Sequence, residues 1–263
     1  MKPYIAILNT RMAVLFQYRS AAIAGLCTQV FWGIVKVMIL EAFFAQSVSA
    51  EPLSLAQAIT FIWLGQALIQ LLPWNIDKEL EAQIKTGNVA YELLRPLDLY
   101  SYWFFRAMAM RLVPTIMRSI PVFMFAGLFQ ALPAPESWSA LIAFVVSLLF
   151  AALLSSAITT LVHSSMFWTI SGEGIQRLLP QVTLLFSGVV VPLPLFPDWM
   201  QPFLNLQPFR GVIDIPSRIY TGVIPVVEAP YYLGFQLVWF LFFAIAGKWL
   251  IARALRRFVI QGG

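Results

Sequence analysis

The sequence predicts an all-α polytopic membrane protein that crosses the bilayer six times. Apolar residues make up 60% of the chain and charged residues only 11%, against roughly 25% charged residues in an average soluble domain. A soluble protein of 263 residues could not bury so much apolar surface, whereas a lipid bilayer solvates it. The apolar stretches are continuous and do not alternate, which favours helices over a transmembrane β-barrel.

Six stretches approach the roughly 20 apolar residues that a helix needs to cross a bilayer. The fourth has no charged residue and is the strongest prediction, and the fifth is the shortest. The predicted spans cover about 21–44, 55–74, 107–132, 138–162, 175–191 and 231–251.

Residues 1–20 predict an amphipathic helix that lies on the membrane surface. Apolar residues recur at helical spacing from Ile5 through Leu8, Met12 and Phe16, while Arg11 and Arg19 supply charge. The arginines and the lack of a small-residue cleavage pattern argue against a cleavable signal peptide.

The lysines and arginines near the span ends predict that both termini are cytoplasmic, because basic residues collect on that side. With the N-terminus inside, twelve basic residues fall on the cytoplasmic side and two, Arg210 and Arg218, on the other. The twelve are Lys2, Arg11, Arg19, Lys78, Lys85, Arg95, Arg106, Arg111, Arg177, Arg253, Arg256 and Arg257.

Residues 75–106, between the second and third spans, form the longest predicted cytoplasmic segment. Lys78, Glu79 and Glu81 indicate that the second helix continues past the membrane surface, and the turn at residues 86–88 stops it. After Arg95-Pro96 a short helix is predicted at about 97–105. Its aromatic face fits either a docking site for a partner protein or an interfacial aromatic belt.

The proline-rich segment, residues 191–230, lies between the fifth and sixth spans. Its eight prolines forbid one continuous helix, yet its aromatic and aliphatic residues are too apolar for a free loop. We therefore expect short re-entrant helices, shielded by protein, that cap the outer ends of the spans.

The residue types that support catalysis are scarce. One histidine, His163, and one cysteine, Cys27, cannot build a usual zinc site or a disulfide. Neither a GxSxG elbow nor a GxxxxGK[ST] phosphate loop occurs. We predict no catalytic residue, no metal site and no cofactor in this chain, and His163 is interpreted as an interfacial polar residue.

Charges inside predicted spans are candidates for function. Lys36 and Arg118 lie deep, and with Gln66 they are candidates for a transport pathway or a subunit interface. Glu41, Arg111 and Lys248 lie nearer the span ends and are predicted to extend to the headgroups.

Two segments carry a resemblance to a known family. Ser187-Gly188, Leu195-Phe196-Pro197-Asp198-Trp199 and the later Gln207-Pro208 resemble the segment before the last span of ABC-2 type permeases. Residues 86–98, TGNVAYELLRPLD, resemble the Leu-Leu-Arg-Pro segment of one subgroup of six-span members. Together with the order of the spans, the resemblance covers the whole chain.

The resemblance implies a single transmembrane domain, residues 1–263, that serves as the permease subunit of an ATP-binding-cassette transporter in a bacterial inner membrane. Two separate ATPase subunits would bind ATP and Mg²⁺, and a second permease would complete a homodimer or heterodimer. Most such proteins export. The helix after the second span would be the coupling helix, and the proline-rich segment an extracellular gate.

The implied ATPase-coupling residues are Leu94, Arg95, Pro96, Leu97, Asp98, Tyr100 and Phe104. The implied gate residues are Pro192, Pro194, Phe196, Trp199, Phe203, Pro208 and Phe209.

Two other classes of function stay open at this stage. A stand-alone secondary transporter or channel would act without an ATPase, but few acidic residues lie inside the spans. A membrane-embedded enzyme would need the catalytic groups that are missing. Nothing indicates nucleic-acid binding. The apolar spans fit lipids, lipid-linked glycans, drugs and peptides equally as substrates.

Overall fold

The computed structural model describes residues 2–17, 19–46, 52–129, 132–135, 137–169 and 173–256. Every regular element within these ranges is helical. The α-helices are α1 (Lys2–Leu15), α2 (Arg19–Gln46), α3 (Leu55–Leu68), α4 (Lys78–Lys85), α5 (Val89–Leu93), α6 (Leu99–Phe129), α7 (Trp138–Ser165), α8 (Glu173–Phe186), α9 (Gln201–Leu206), α10 (Asp214–Tyr220) and α11 (Ala229–Leu255).

Four of the described helices are long and apolar enough to cross a bilayer: α2 from Ile23, α6, α7 and α11. They correspond to the first, third, fourth and sixth predicted spans. The chain is therefore a multi-pass membrane protein. The second and fifth predicted spans appear as shorter helices: α3 with a following 3-10 turn reaches Leu71, and α8 has 14 residues.

Helix α3 lies at the centre of the molecule. Almost every residue from Ala58 to Leu72 is buried, and α2, α6 and α10 pack around it. Its start is fixed by a capping box, in which the Ser54 hydroxyl accepts from Gln57 N and Gln57 Oε1 accepts from Ser54 N. Because protein surrounds α3, its short length leaves no backbone polar group facing lipid.

Helices α7 and α11 form the most extensive helix pair. Gln236 of α11 is fully buried. Its amide nitrogen donates to Gly211 O at 2.6 Å and Ser147 O at 3.1 Å, and its oxygen accepts from Ser147 Oγ at 3.1 Å. A side chain at Gly247 would collide with the Tyr100 ring, so this glycine lets α11 approach α6 closely.

The separate coupling helix predicted at 97–105 is not a separate element. Helix α6 runs without a break from Leu99 to Phe129, through Pro114 and Pro121. It includes Arg106, which lies one residue beyond the predicted end of the short helix. The physical reason is that Arg106 is buried against carboxylates (below), so the helix passes the charge without leaving protein.

The prediction that the second helix continues past the membrane surface is also wrong. The chain leaves the helical path around Pro73, and α4 begins afresh with its own cap. The Asp77 carboxylate accepts from Glu79 N at 3.0 Å and Leu80 N at 3.4 Å. The turn predicted at residues 86–88 is present, with Gly87 at φ 76° between α4 and α5.

Helix α1 packs along α6. The face of α1 that is turned toward protein therefore differs from the prediction. The Tyr4 ring stacks on Phe105 with centroids 5.7 Å apart. Arg11, expected on the polar face toward water, is half-buried and turned toward protein, whereas Ile5 and Phe16 are exposed. The ion pair of Arg11 with Glu79, 2.8 Å long, is what turns that face inward. Arg257 and the side chain of Arg19 lie outside the described residues.

Replacing Gln236 with leucine should lower the stability of the α7–α11 pair. The variant loses three hydrogen bonds and leaves the buried Gly211 O without the donor that Gln236 supplies, which costs roughly 1–3 kcal/mol. Thermal unfolding in detergent measures it as a lower Tm. Gln46→Leu, at an exposed position of α2, is the control, and equal Tm values for the two variants would contradict the assignment.

Candidate functional site

Asp77, at the start of α4, lies in a cluster of polar contacts that connects four helices. Besides capping α4, it accepts from Arg106 of α6 through Nη2 at 2.6 Å and Nε at 3.0 Å. The Asp77 backbone N–H donates to His163 Nε2 of α7 at 3.0 Å. Arg106 also donates to Glu79 at 2.8 Å, and Glu79 reaches Arg11 of α1. We call Arg11, Asp77, Glu79, Arg106 and His163 the Asp77 cluster.

The sequence predicts that His163 is an interfacial polar residue, and the structure shows that its side chain lies inside the protein near the end of α7. It is fully buried, with the edge of its ring packed against Trp103. Because Nε2 accepts the hydrogen bond from Asp77 N, the imidazole is neutral with its proton on Nδ1. Its role is to satisfy the backbone where the chain enters α4.

Arg111 was predicted to extend to the headgroups, and it does not. It is 1% exposed, and its Nη2 donates to Asn75 O and to Thr159 Oγ1, both at 2.8 Å. The side chain ties α6 to α7 and to the segment before Asp77. Sequence reasoning missed this because both acceptors are neutral and lie 36 and 48 residues away.

The predicted coupling residues separate into two groups. Tyr100 and Phe104 are buried, and their rings stack on each other and pack against α11. Asp98 caps α6, accepting from Ser101 N at 2.8 Å and Ser101 Oγ at 2.6 Å. The side chains of Tyr100 and Phe104 therefore face other parts of this chain, whereas Asp98 caps α6 and is itself exposed.

Most residues just before Asp98 are also exposed, although Glu92 among them is buried. Leu94 is 81% exposed and Tyr91 71% exposed. Arg95 and Pro96 are exposed too, and Leu97 is half-buried. We call residues 91–96 the exposed edge. Leu93 is exposed as well, so three large apolar side chains of this segment form an exposed apolar patch.

Lys36, Gln66 and Arg118, predicted separately as pathway or interface residues, line one cavity of about 550 Å³. Helices α2, α3, α6 and α8 enclose it. Lys36 Nζ donates to Val189 O at 2.7 Å. With the Gln66 side-chain amide oriented to satisfy both of its polar atoms, Gln66 Oε1 accepts from Lys36 Nζ at 3.2 Å. The structure therefore brings these three residues together.

The proline-rich segment forms short helical turns, as its prolines predict: 3-10 turns at Leu193–Leu195, Asp198–Met200 and Pro208–Gly211, with α9 and α10. The predicted gate residues do not share one environment. Pro192 is buried, Pro194, Phe196, Pro208 and Phe209 are half-buried, and Trp199 and Phe203 are exposed.

A buried charge group in this segment escaped sequence reasoning. Asp214 is fully buried, 3.5 Å from Arg210 Nε and 3.7 Å from Arg218 Nη1. Arg210, counted from sequence as a surface charge, is 4% exposed and lies over the rings of Tyr232 and Phe235. The i, i+4 spacing of the three residues was the available signal.

Asp77→Asn should destabilise the protein by roughly 1–3 kcal/mol, because the buried Arg106 loses its closest carboxylate while Glu79 still pairs with it. Chemical denaturation of the purified protein measures this loss. Glu228→Gln, at an exposed carboxylate, is the matched control. A loss no larger than that of the control would contradict the central position of Asp77.

Docking of α1 should depend on pH through Glu79. Burial alone would raise the pKa of Glu79, but hydrogen bonds and charge attraction from Arg11 and Arg106 lower it below 4.5. A lowered folded pKa stabilises the folded state above pH 4.5, and this stabilisation is lost as the pH falls through the folded pKa. Hydrogen exchange of α1, corrected for intrinsic rates, should rise in that window. Glu79→Gln should remove the pH dependence, and its persistence in that variant would refute the link.

The comparisons with known proteins agree with this arrangement of long apolar helices. No curated protein matches the chain. Residues 30–262, which include the cavity, the exposed edge and the proline-rich segment, match the family described as "ABC-2 family transporter protein". The match covers well over half of the sequence, and the chain therefore belongs to the ABC-2 family of transporter proteins, as a non-catalytic membrane component of a transporter.

Proposed function

We propose that this chain is the permease subunit of an exporter driven by separate ATPase subunits, which dock on the exposed edge. The exposed edge carries the proposal. Its apolar residues Tyr91 and Leu94 are exposed although the same chain buries the neighbouring Val89 and Leu99. Membership of the ABC-2 family supports a partner ATPase, which would supply the ATP and Mg²⁺ sites.

The exposed edge is connected to the spans by contacts that can transmit movement. Arg95 pairs with Glu92 at 3.3 Å and lies over the Tyr102 ring of α6. Tyr102 accepts from Arg106 at 3.1 Å, which belongs to the Asp77 cluster. A push on residues 91–96 would therefore reach α6 first and then α1, α4 and α7.

The topology we propose has six spans in one domain, with α3 and α8 as the second and fifth. The burial of α3 supports its crossing despite its length. The distribution of basic residues supports cytoplasmic termini, and the family supports a bacterial inner membrane. The complete transporter would contain two ATPase subunits and a second permease, identical or different.

In this proposal the cavity lined by Lys36, Gln66 and Arg118 belongs to the transport route. The proline-rich segment closes it on the outer side. Val189, which accepts from Lys36, lies two residues before that segment, so movement of the segment changes the cavity wall. Alternating exposure of such a site requires two conformations whose balance the nucleotide shifts.

Leu94→Asp should weaken ATPase binding by roughly tenfold or more, because it places a charge at the centre of the docking contact. Co-purification with the ATPase and permease-stimulated ATP hydrolysis measure the effect. The control is Val227→Asp, which changes an equally exposed apolar residue in the proline-rich segment. Full ATPase stimulation by Leu94→Asp would exclude the exposed edge as the docking site.

Tyr100→Phe should leave ATPase stimulation unchanged, because the Tyr100 ring is buried against α11 and not presented to a partner. The same hydrolysis assay measures it.

The direction of transport is tested in inside-out vesicles, where export predicts ATP-dependent accumulation of the transported compound in the lumen. ATP-dependent depletion would indicate import.

A further inference from the structure

The cavity between α2, α3, α6 and α8 has an unusual chemical composition for a site among membrane-spanning helices. Two cationic side chains, Lys36 and Arg118, line it. Its other polar groups are neutral, and none of the described lining residues is acidic. The lining residues are Gly25, Thr28, Gln29, Trp32, Lys36, Gln66, Ile69, Gln70, Trp74, Arg118, Leu184 and Val190. A site of this kind is complementary to negative charge.

We propose that this cavity binds the anionic head of an amphiphile, whose apolar tail occupies the cavity beside it. The inference rests on the proposed function, because it names the class of compound that the permease carries. The binding site itself is defined by Lys36 together with the amides around it.

Lys36 is positioned to hold an anion. Its ammonium group has three N–H donors, and two described oxygens, the Val189 carbonyl oxygen and the Gln66 side-chain oxygen Oε1, accept from it. Both acceptors are neutral, so the protein orients the ammonium without neutralising it. A bound anion would receive the third N–H in a charge-assisted hydrogen bond.

The amide groups fix the geometry of the same wall. Gln29 Nε2 donates to Gln66 O, the backbone carbonyl, at 3.0 Å. The Gln66 amide nitrogen donates back to Gln29 O at 3.2 Å. This reciprocal pair ties α2 to α3 and leaves the Gln66 side-chain oxygen directed at Lys36. The head site is therefore built on two packed helices and is organised before a ligand arrives.

A second cavity, of about 300 Å³, adjoins the first through Trp32, Lys36 and Val190. Beyond Lys36 its lining is entirely apolar: Val35, Ile39, Leu40, Ile62, Val191 and Pro192. A small inorganic anion would leave this space unused. An anionic head joined to a hydrocarbon tail fills both cavities, and their volumes suit a ligand of ordinary size.

The test uses the purified full-length chain in a neutral detergent and two bromine-labelled probes with the same tail. One is the anion ω-bromododecyl sulfate and the other is the cation ω-bromododecyltrimethylammonium. Bromine quenches tryptophan fluorescence, and Trp32 lies in both cavities. We expect saturable quenching by the anion alone, and its loss in Trp32→Phe. Equal quenching by both probes would overturn the proposal.

Lys36→Gln should raise the Kd for the anionic probe about tenfold or more, because the head loses its charged donor. Lys248→Gln is the matched control, since it removes a lysine of α11 outside the cavity. Lys36→Arg keeps the charge and should retain binding. If Lys36→Gln does not yield folded protein, the Kd of Arg118→Gln, which removes a charge from the same cavity, is compared with that of Lys36→Arg, which keeps the charge. An unchanged Kd when the cavity charge is removed refutes the site.

Competition separates the possible sources of the anion. Inorganic phosphate should fail to displace the probe at concentrations where dodecyl sulfate displaces it. Displacement by phosphate alone would mean that the site takes a small ion, and the assignment of an amphiphile would fall. If Lys36→Gln instead disrupts pairing of two permeases while no probe binds, the cation faces a partner subunit, which also overturns the proposal.

These outcomes are distinct from failure of the proposed function. Binding of the probe is measured without nucleotide or ATPase, whereas Leu94→Asp tests docking without the probe. If Lys36→Gln leaves the Kd for the anionic probe unchanged while ATPase stimulation is intact, only the proposed substrate class is refuted. If Lys36→Gln raises that Kd but no ATPase partner binds the chain, the exporter is refuted and an anion-binding membrane protein is left.

Discussion

The carboxylate of Asp77 is the contact on which the end of the molecule near α4 depends. It is the cap of α4 and the partner of a guanidinium that is 1% exposed. Without it, Arg106 would be a buried charge in the middle of a helix that must continue into the membrane, and such a charge is strongly destabilising. The continuity of α6 and the placement of α4 depend on this pairing, and α1 is joined to the same cluster through the pair of Arg11 with Glu79.

The Asp77 cluster also explains why the exposed edge is available for a partner. The aromatic side chains of Tyr100 and Phe104, which follow the exposed edge, pack α6 against α11. They are therefore not on the surface that a partner protein would contact. What is left for a partner is the short run around Leu94, held at one side by the Arg95–Glu92 pair. The proposed contact surface is therefore small, and Arg95 connects it to Tyr102 of α6.

Sequence reasoning predicted the fold class, four of the long helices, the turn at Gly87 and the broken path of the proline-rich segment. Each of these depends on local properties, namely apolar length, glycine and proline. It failed for Arg111 and His163, because their partners lie far away in sequence and are neutral groups. It named Lys36, Gln66 and Arg118 as candidates for a pathway or an interface, but only packing shows that they line one cavity.

The burial of α3 has a consequence for how the protein is made. A helix of this length, carrying Gln66 and Gln70, is poorly held by lipid alone and is retained by its neighbours. It must therefore find α2, α6 and α10 after these have entered the membrane, the last two being synthesised later. Substitutions on α3 should then reduce the amount of assembled protein in the cell rather than the turnover of each assembled molecule.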